Sequence, residues 1–158
     1  MTSLRVEYIN PFIEASLDVV NQTTGLKPTI GRVFTRSTPH IGNLVIIMIG
    51  ITGEISGSVV LSLSKQLACR IASAMMFGMP VPELDEMAKS AIAELANMVM
   101  GHTANIFYKA NMSIDITPPT VLTCENMELT PAKAVTVCVP LNFDDGESLH
   151  IDISYKEN

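Results

Sequence analysis

Apolar and polar positions along this chain follow two periods, and each change of period marks an element. From residue 10 to 25, Ile13, Leu17 and Val20 recur at helical spacing, with Asn10 as N-cap, Pro11 at the first helical position and Gly25 as the stop. An amphipathic helix is predicted there. After Lys27-Pro28 the period shortens. Residues 30–36, the continuous run Leu44 to Ile49, and Ile55, Val59, Leu61 and Leu63 alternating with serines predict three strands. The middle run has no polar face, as expected of a central strand covered on both sides, and Gly50-Ile51-Thr52-Gly53 reads as the turn of an antiparallel hairpin.

Helical spacing returns at Leu67, Ile71, Ala74 and Met75, behind Ser64 as cap and ahead of Gly78 and Pro80. The Met-Met-Phe-Gly-Met-Pro segment ending this helix reads as core filler. A third helix starts near Pro82 to Glu86, where Glu83, Asp85 and Glu86 suit the positive end of the helix dipole, and runs to about Ala110. Alternation resumes around Ser113 to Thr117 with Thr120 to Thr123, at Val135 to Leu141 and at Leu149 to Tyr155; Pro118-Pro119 breaks the first and Asp144-Asp145-Gly146 turns between the last two. Strands in groups, rather than singly between helices, indicate an α+β class with helices packed on a largely antiparallel sheet. Neither GxGxxG nor GxxxxGK[ST] is present, so a doubly wound nucleotide fold is not supported.

The third helix has two faces. At ~100° per residue, Ser90, Glu94, Asn97 and Gly101 share a sector of roughly 60°, while Ala88, Ile92, Leu95, Val99 and Ile106 centre roughly 160° away. A carboxylate and a carboxamide thus stand at i,i+3 on the open side of an otherwise apolar helix. Glycine inside a helix costs about 1 kcal/mol relative to alanine, so Gly101 at the end of this stripe suggests that a partner surface comes close there.

Composition narrows the function. With 158 residues and 47% hydrophobic positions, the chain suits one domain over 1–158 with a single core. The formal charge of -6, with 10 scattered Lys and Arg, gives no basic stripe for nucleic acid. The longest apolar run is far shorter than the ~20 residues of a membrane span. The start Met1-Thr2-Ser3-Leu4-Arg5 lacks a secretory pattern, which points to the cytoplasm. Cys69, Cys124 and Cys138 are odd in number, lack metal-ligand spacing and read as reduced thiols. A hydrolase built on Cys124 or Cys138 would need a base, and the dispersed His40, His102 and His150 identify none. They suggest no metal site either.

Ser90-x-x-x-Glu94-x-x-Asn97, followed by Pro118-Pro119, resembles the CheC/CheX/FliY family of bacterial chemotaxis phosphatases. Supporting stretches are Glu7 to Ser16, Ile71 to Met76 and Asp115 to Thr120, so the resemblance covers most of the chain. It implies an α+β fold and a phosphatase acting on the aspartyl phosphate of a CheY-type response regulator. In that reading Asn97 orients the attacking water and Glu94 pairs with a receiver lysine; Ser90 is either a further partner contact or a tolerated small helix residue, and Gly101 is a partner contact on the helix-cost argument above. Mg²⁺ belongs to the receiver and no cofactor to this chain. CheC-type chains carry two such pairs and CheX-type chains one; here Leu17 replaces the asparagine in Glu14-Ala15-Ser16-Leu17, which leaves one site. The resemblance also implies a homodimer formed through the sheets, with the late strands as candidates for the contact. The alternative is a non-catalytic receiver-binding or scaffold domain.

Overall fold

The computed structural model describes residues 5–36, 40–129 and 135–157, with only the backbone described for residues 40–43, 124 and 126–129. The elements run α1 (Val6–Thr24), β1 (Thr29–Ile30), β2 (Phe34–Thr35), β3 (His40–Gly53), β4 (Ile55–Ser64), α2 (Lys65–Met75), α3 (Glu86–Lys109), β5 (Ile114–Ile116), β6 (Thr120–Leu129), β7 (Thr136–Asn142) and β8 (Ser148–Glu157). The described strands form one antiparallel sheet in the order β1-β7-β8-β4-β3-β5, with β2 also paired to β7 and β6 also paired to β3. This is the expected α+β class: helices on a mostly antiparallel sheet.

Alternation sorts the strand side chains. Val45, Ile47, Ile49 and Ile51 of β3, Val59 and Leu61 of β4, Ile151 and Ile153 of β8, and Val137 and Val139 of β7 are buried in one core with the helices. Phe12 and Val20 of α1, Leu67 and Ile71 of α2, and Ile92, Leu95 and Val99 of α3 join them. Close approach within the sheet is also written in the sequence: a Cβ at Gly57 would stand 1.9 Å from the Ser154 carbonyl oxygen, so only glycine lets β4 meet β8 there.

Four expectations need correction. The first helix begins at Val6 with Arg5 as N-cap, not at Asn10, and Pro11 lies inside it. Tyr8 packs against Phe107 and Tyr155, with ring centroids 6.4 and 5.4 Å apart, so an extra turn before Pro11 gains buried area. The missing Pro11 N–H forgoes only a bond to the carbonyl of exposed Glu7, where water can substitute. Residues 30–36 are two short strands rather than one, because Pro140 accepts the Gly31 N–H at 2.9 Å but has no N–H to return.

Gly50 to Gly53 is strand rather than turn: Ile51 pairs with Gly57 on one side and Ile116 on the other, and the chain reverses at Gly53 (φ 113°) and Glu54. Thr117 reinforces this edge, its Oγ1 accepting the Gly50 N–H at 2.8 Å. Finally, the run Leu44 to Ile49 is not covered on both sides. The helices cover one face; on the other Ile46 is buried but Met48 is exposed.

That outer face carries a buried polar cluster. Arg36 Nε lies 2.7 Å from Asp152 Oδ2, and each side chain is only 8% exposed. Arg36 Nη2 also reaches His150 Nδ1 at 2.8 Å and Cys138 Sγ at 3.3 Å, while the Phe34 ring lies 5.3 Å from the guanidinium. Phe34, Met48 and Leu122 are exposed on the same face.

Candidate functional site

Helix α3 is fixed at its start by Asp85, whose carboxylate accepts the Ala88 N–H at 2.8 Å, and it closes with Lys109 in its last turn. Its 24 residues bury Ala88, Ile92, Leu95, Ala96, Val99, Met100, Thr103 and Phe107. Thr103 is tolerated on that face because its hydroxyl donates to the Val99 carbonyl at 2.7 Å. The opposite ridge exposes Ser90, Glu94, Asn97 and Gly101, so the four positions meet on one surface as the wheel required. On α1 the counterpart Leu17 is half-buried against the core, leaving Glu14 exposed without an amide partner one turn on.

Neither Glu94 nor Asn97 makes a side-chain hydrogen bond or ion pair among the described residues. Both stand free for a partner. Small-molecule sites are concave, yet this pair rides on the open side of a helix. A cleft of about 720 Å³ lies between α2 and the start of α3, lined by Lys65, Cys69, Arg70 and Lys89 among others, and it includes neither Glu94 nor Asn97. A carboxylate can hold a cation, and a carboxamide can both donate to and accept from a water without bringing charge.

Gly101 is an exposed helical position where a Cβ would meet nothing within 4 Å. Gly101→Ala is therefore expected to stabilise the protein by about 1 kcal/mol and raise Tm by roughly 2–4 °C in a thermal unfolding scan. An unchanged or lower Tm would show that packing, rather than an approaching surface, explains this glycine.

The cysteines offer no nucleophile where they are described. Cys138 is buried in β7, and burial first, then the Asp152 carboxylate, pushes its thiol up to about 12. Native protein at pH 8 is expected to leave Cys138 unlabelled by iodoacetamide and unfolded protein to label it, as read by peptide mass spectrometry. Labelling in the folded state would contradict this. Half-buried Cys69 is raised by burial and by Asp85 and Glu83. The Cys124 and His40 side chains lie outside the described residues. His102 is 3.7 Å from Asp18, and His150 is held by Arg36. Among the described residues no three His, Cys, Asp or Glu gather as a metal set, and no helix is long and apolar enough to cross a membrane.

The methionine segment after α2 divides. Met75 and Met76 pack on the core as expected, but Phe77 (φ 58°) and Met79 are exposed where the chain leaves the helix. Sequence reading also passed over Met87 and Met98, which are exposed on the Glu94 side of α3. Their wheel positions carried the signal.

The family model described as Chemotaxis phosphatase CheX matches residues 45–142. The chain is 34% identical over 148 residues to the CheY-P phosphatase CheX of Thermotoga maritima, covering 94% of this chain and 95% of that one. The crystal structure of a chemotaxis protein CheX from Desulfovibrio desulfuricans superposes with a TM-score of 0.85 at 22% identity, covering 96% of this chain and all of that one. The CheX of a CheX-CheY-BeF3-Mg²⁺ complex from Borrelia burgdorferi superposes with a TM-score of 0.83 at 23% identity, covering 97% of this chain and 100% of that chain. With more than half of its length matched by the family model and nearly all of it by a curated relative, the chain belongs to the CheX family of chemotaxis phosphatases.

Proposed function

We propose that this protein hydrolyses the aspartyl phosphate of a CheY-type response regulator, with Asn97 orienting the attacking water and Glu94 pairing with a receiver lysine. The observation that carries this reading is the unpartnered Glu94/Asn97 pair on an open helical ridge. It suits a phosphate held in another protein's recess. The Thermotoga maritima relative bears the activity in its name, and the Borrelia burgdorferi complex joins a CheX to CheY with Mg²⁺ and beryllofluoride.

An acyl phosphate is already reactive, and phosphoryl transfer through a loose transition state mainly requires an in-line water and stabilised charge. Asn97 supplies a carbonyl oxygen to accept from that water and an amide to direct it, while adding no negative charge beside the phosphoryl oxygens. The receiver contributes its Mg²⁺ and its lysine. Glu94, one helical turn from the amide, grips that lysine and sets the register of the complex. The protein acts as a single domain in the cytoplasm, as a homodimer through the outer sheet face where Phe34, Met48 and Leu122 are exposed.

The test is the loss of ³²P from a phosphorylated CheY-type receiver with Mg²⁺, with and without the protein. Faster loss supports the phosphatase. Loss at the receiver's own rate, across every receiver of the same cell, with binding retained, would favour a docking domain instead.

A further inference from the structure

We infer that Met87 and Met98 form the apolar part of the surface on which the phosphorylated receiver seats, setting its affinity while leaving the chemistry to the Glu94/Asn97 pair. This rests on the receiver being the partner proposed above. Met87 is 63% exposed and Met98 39% exposed. Counted from Ser90 at ~100° per residue, Glu94 lies at about 40°, Met87 at about 60° and Met98 at about 80°, on one flank of the ridge. Other methionines show what core packing looks like in this chain: Met100 is fully buried, and Met75, Met76 and Met112 pack against the core. Met87 and Met98 do neither; Met48 and Met79 are exposed too, but of these four only Met87 and Met98 lie on α3 with the Glu94/Asn97 pair.

Position supplies the occupant. At ~1.5 Å rise per residue, Met98 stands one residue from Asn97 and Met87 roughly 15 Å along the same helix. A standard interface buries about 800 Å² on each partner, a disc of roughly 16 Å radius. Any receiver that delivers its phosphate to Asn97 therefore covers Met98 outright and reaches Met87. Unbranched, polarizable methionine fits such a surface because it adapts to the partner's relief. The complementary receiver face beside its aspartyl phosphate is then apolar around the lysine that meets Glu94.

The experiment compares wild type, the double variant Met87→Ala/Met98→Ala, and Met87→Leu/Met98→Leu. Two readouts are taken: dephosphorylation rate against concentration of the phosphorylated receiver, and binding of the same receiver loaded with Mg²⁺ and beryllofluoride. The alanine pair is expected to raise KM and weaken binding about tenfold with kcat unchanged, and the leucine pair to restore both. Sedimentation of the protein alone should be the same for all three. Unchanged binding with wild-type phosphatase activity intact would overturn the inference and leave the phosphatase standing. Absence of wild-type activity, with binding still weakened by the alanine pair, would remove the phosphatase and keep the docking surface. A changed oligomeric state would assign the two methionines to a second copy and overturn the inference.

Discussion

Replacing Asn97 by alanine is expected to reduce the acceleration of receiver dephosphorylation about 100-fold with KM little altered, a loss of roughly 2.7 kcal/mol of transition-state stabilisation. In the proposed mechanism the amide acts on a water whose alignment matters only as the phosphoryl group transfers, so its removal belongs in kcat. Stability should not fall, because Asn97 is exposed, has no partner among the described residues, and gives way to the best helix former. An inactive Asn97→Ala protein with an undiminished Tm is thus an interpretable result. Glu94→Ala separates the two roles: losing the grip on the receiver lysine should raise KM. Equal acceleration by Asn97→Ala and wild type would take the amide out of the mechanism.

Arg36→Ala is expected to cost about 3–5 kcal/mol of folding stability, because it strands the Asp152 carboxylate in a site where both partners are 8% exposed. The guanidinium also contacts His150 and Cys138, so its loss removes those contacts as well. With a urea dependence of about 2 kcal/mol per molar, the unfolding midpoint should drop by roughly 2 M. Replacing both partners, as Arg36→Met/Asp152→Leu, should recover most of that drop, since a buried pair exchanged for apolar volume is often neutral or stabilising. A midpoint shift below about 0.5 M for the single variant would show that water reaches the carboxylate.

The candidate site was legible because it lies on one helix. Twenty-four residues at a single period place Ser90, Glu94, Asn97 and Gly101 together without any tertiary knowledge; Ser64 announces α2 through a cap that forms in the structure, and the acidic residues 83, 85 and 86 announce the start of α3. The turn at Gly50 to Gly53 was misread because glycine marks close approach as well as reversal. Gly50 is flanked by Thr117, 67 positions along the chain, and no local pattern reports that neighbour. The start of α1 was misplaced for a similar reason: Pro11 fits the first helical position by local rules, but burial of Tyr8 against Tyr155 extends the helix before it. Arg36 looks like an ordinary polar residue at a strand end. Its partners His150 and Asp152 lie beyond the span of any periodicity.

Strand β8 follows every other described element in the chain, yet it lies in the middle of the sheet, between β4 and β7. Until it inserts, β1, β2 and β7 have no hydrogen-bonded link to the β3–β4 hairpin and its edge strands. Helix α3 is therefore made long before the platform beneath it is whole. Until β8 pairs, β4 and β7 each keep an unpaired edge that another chain could extend, so folding and aggregation compete over the same hydrogen-bonding groups.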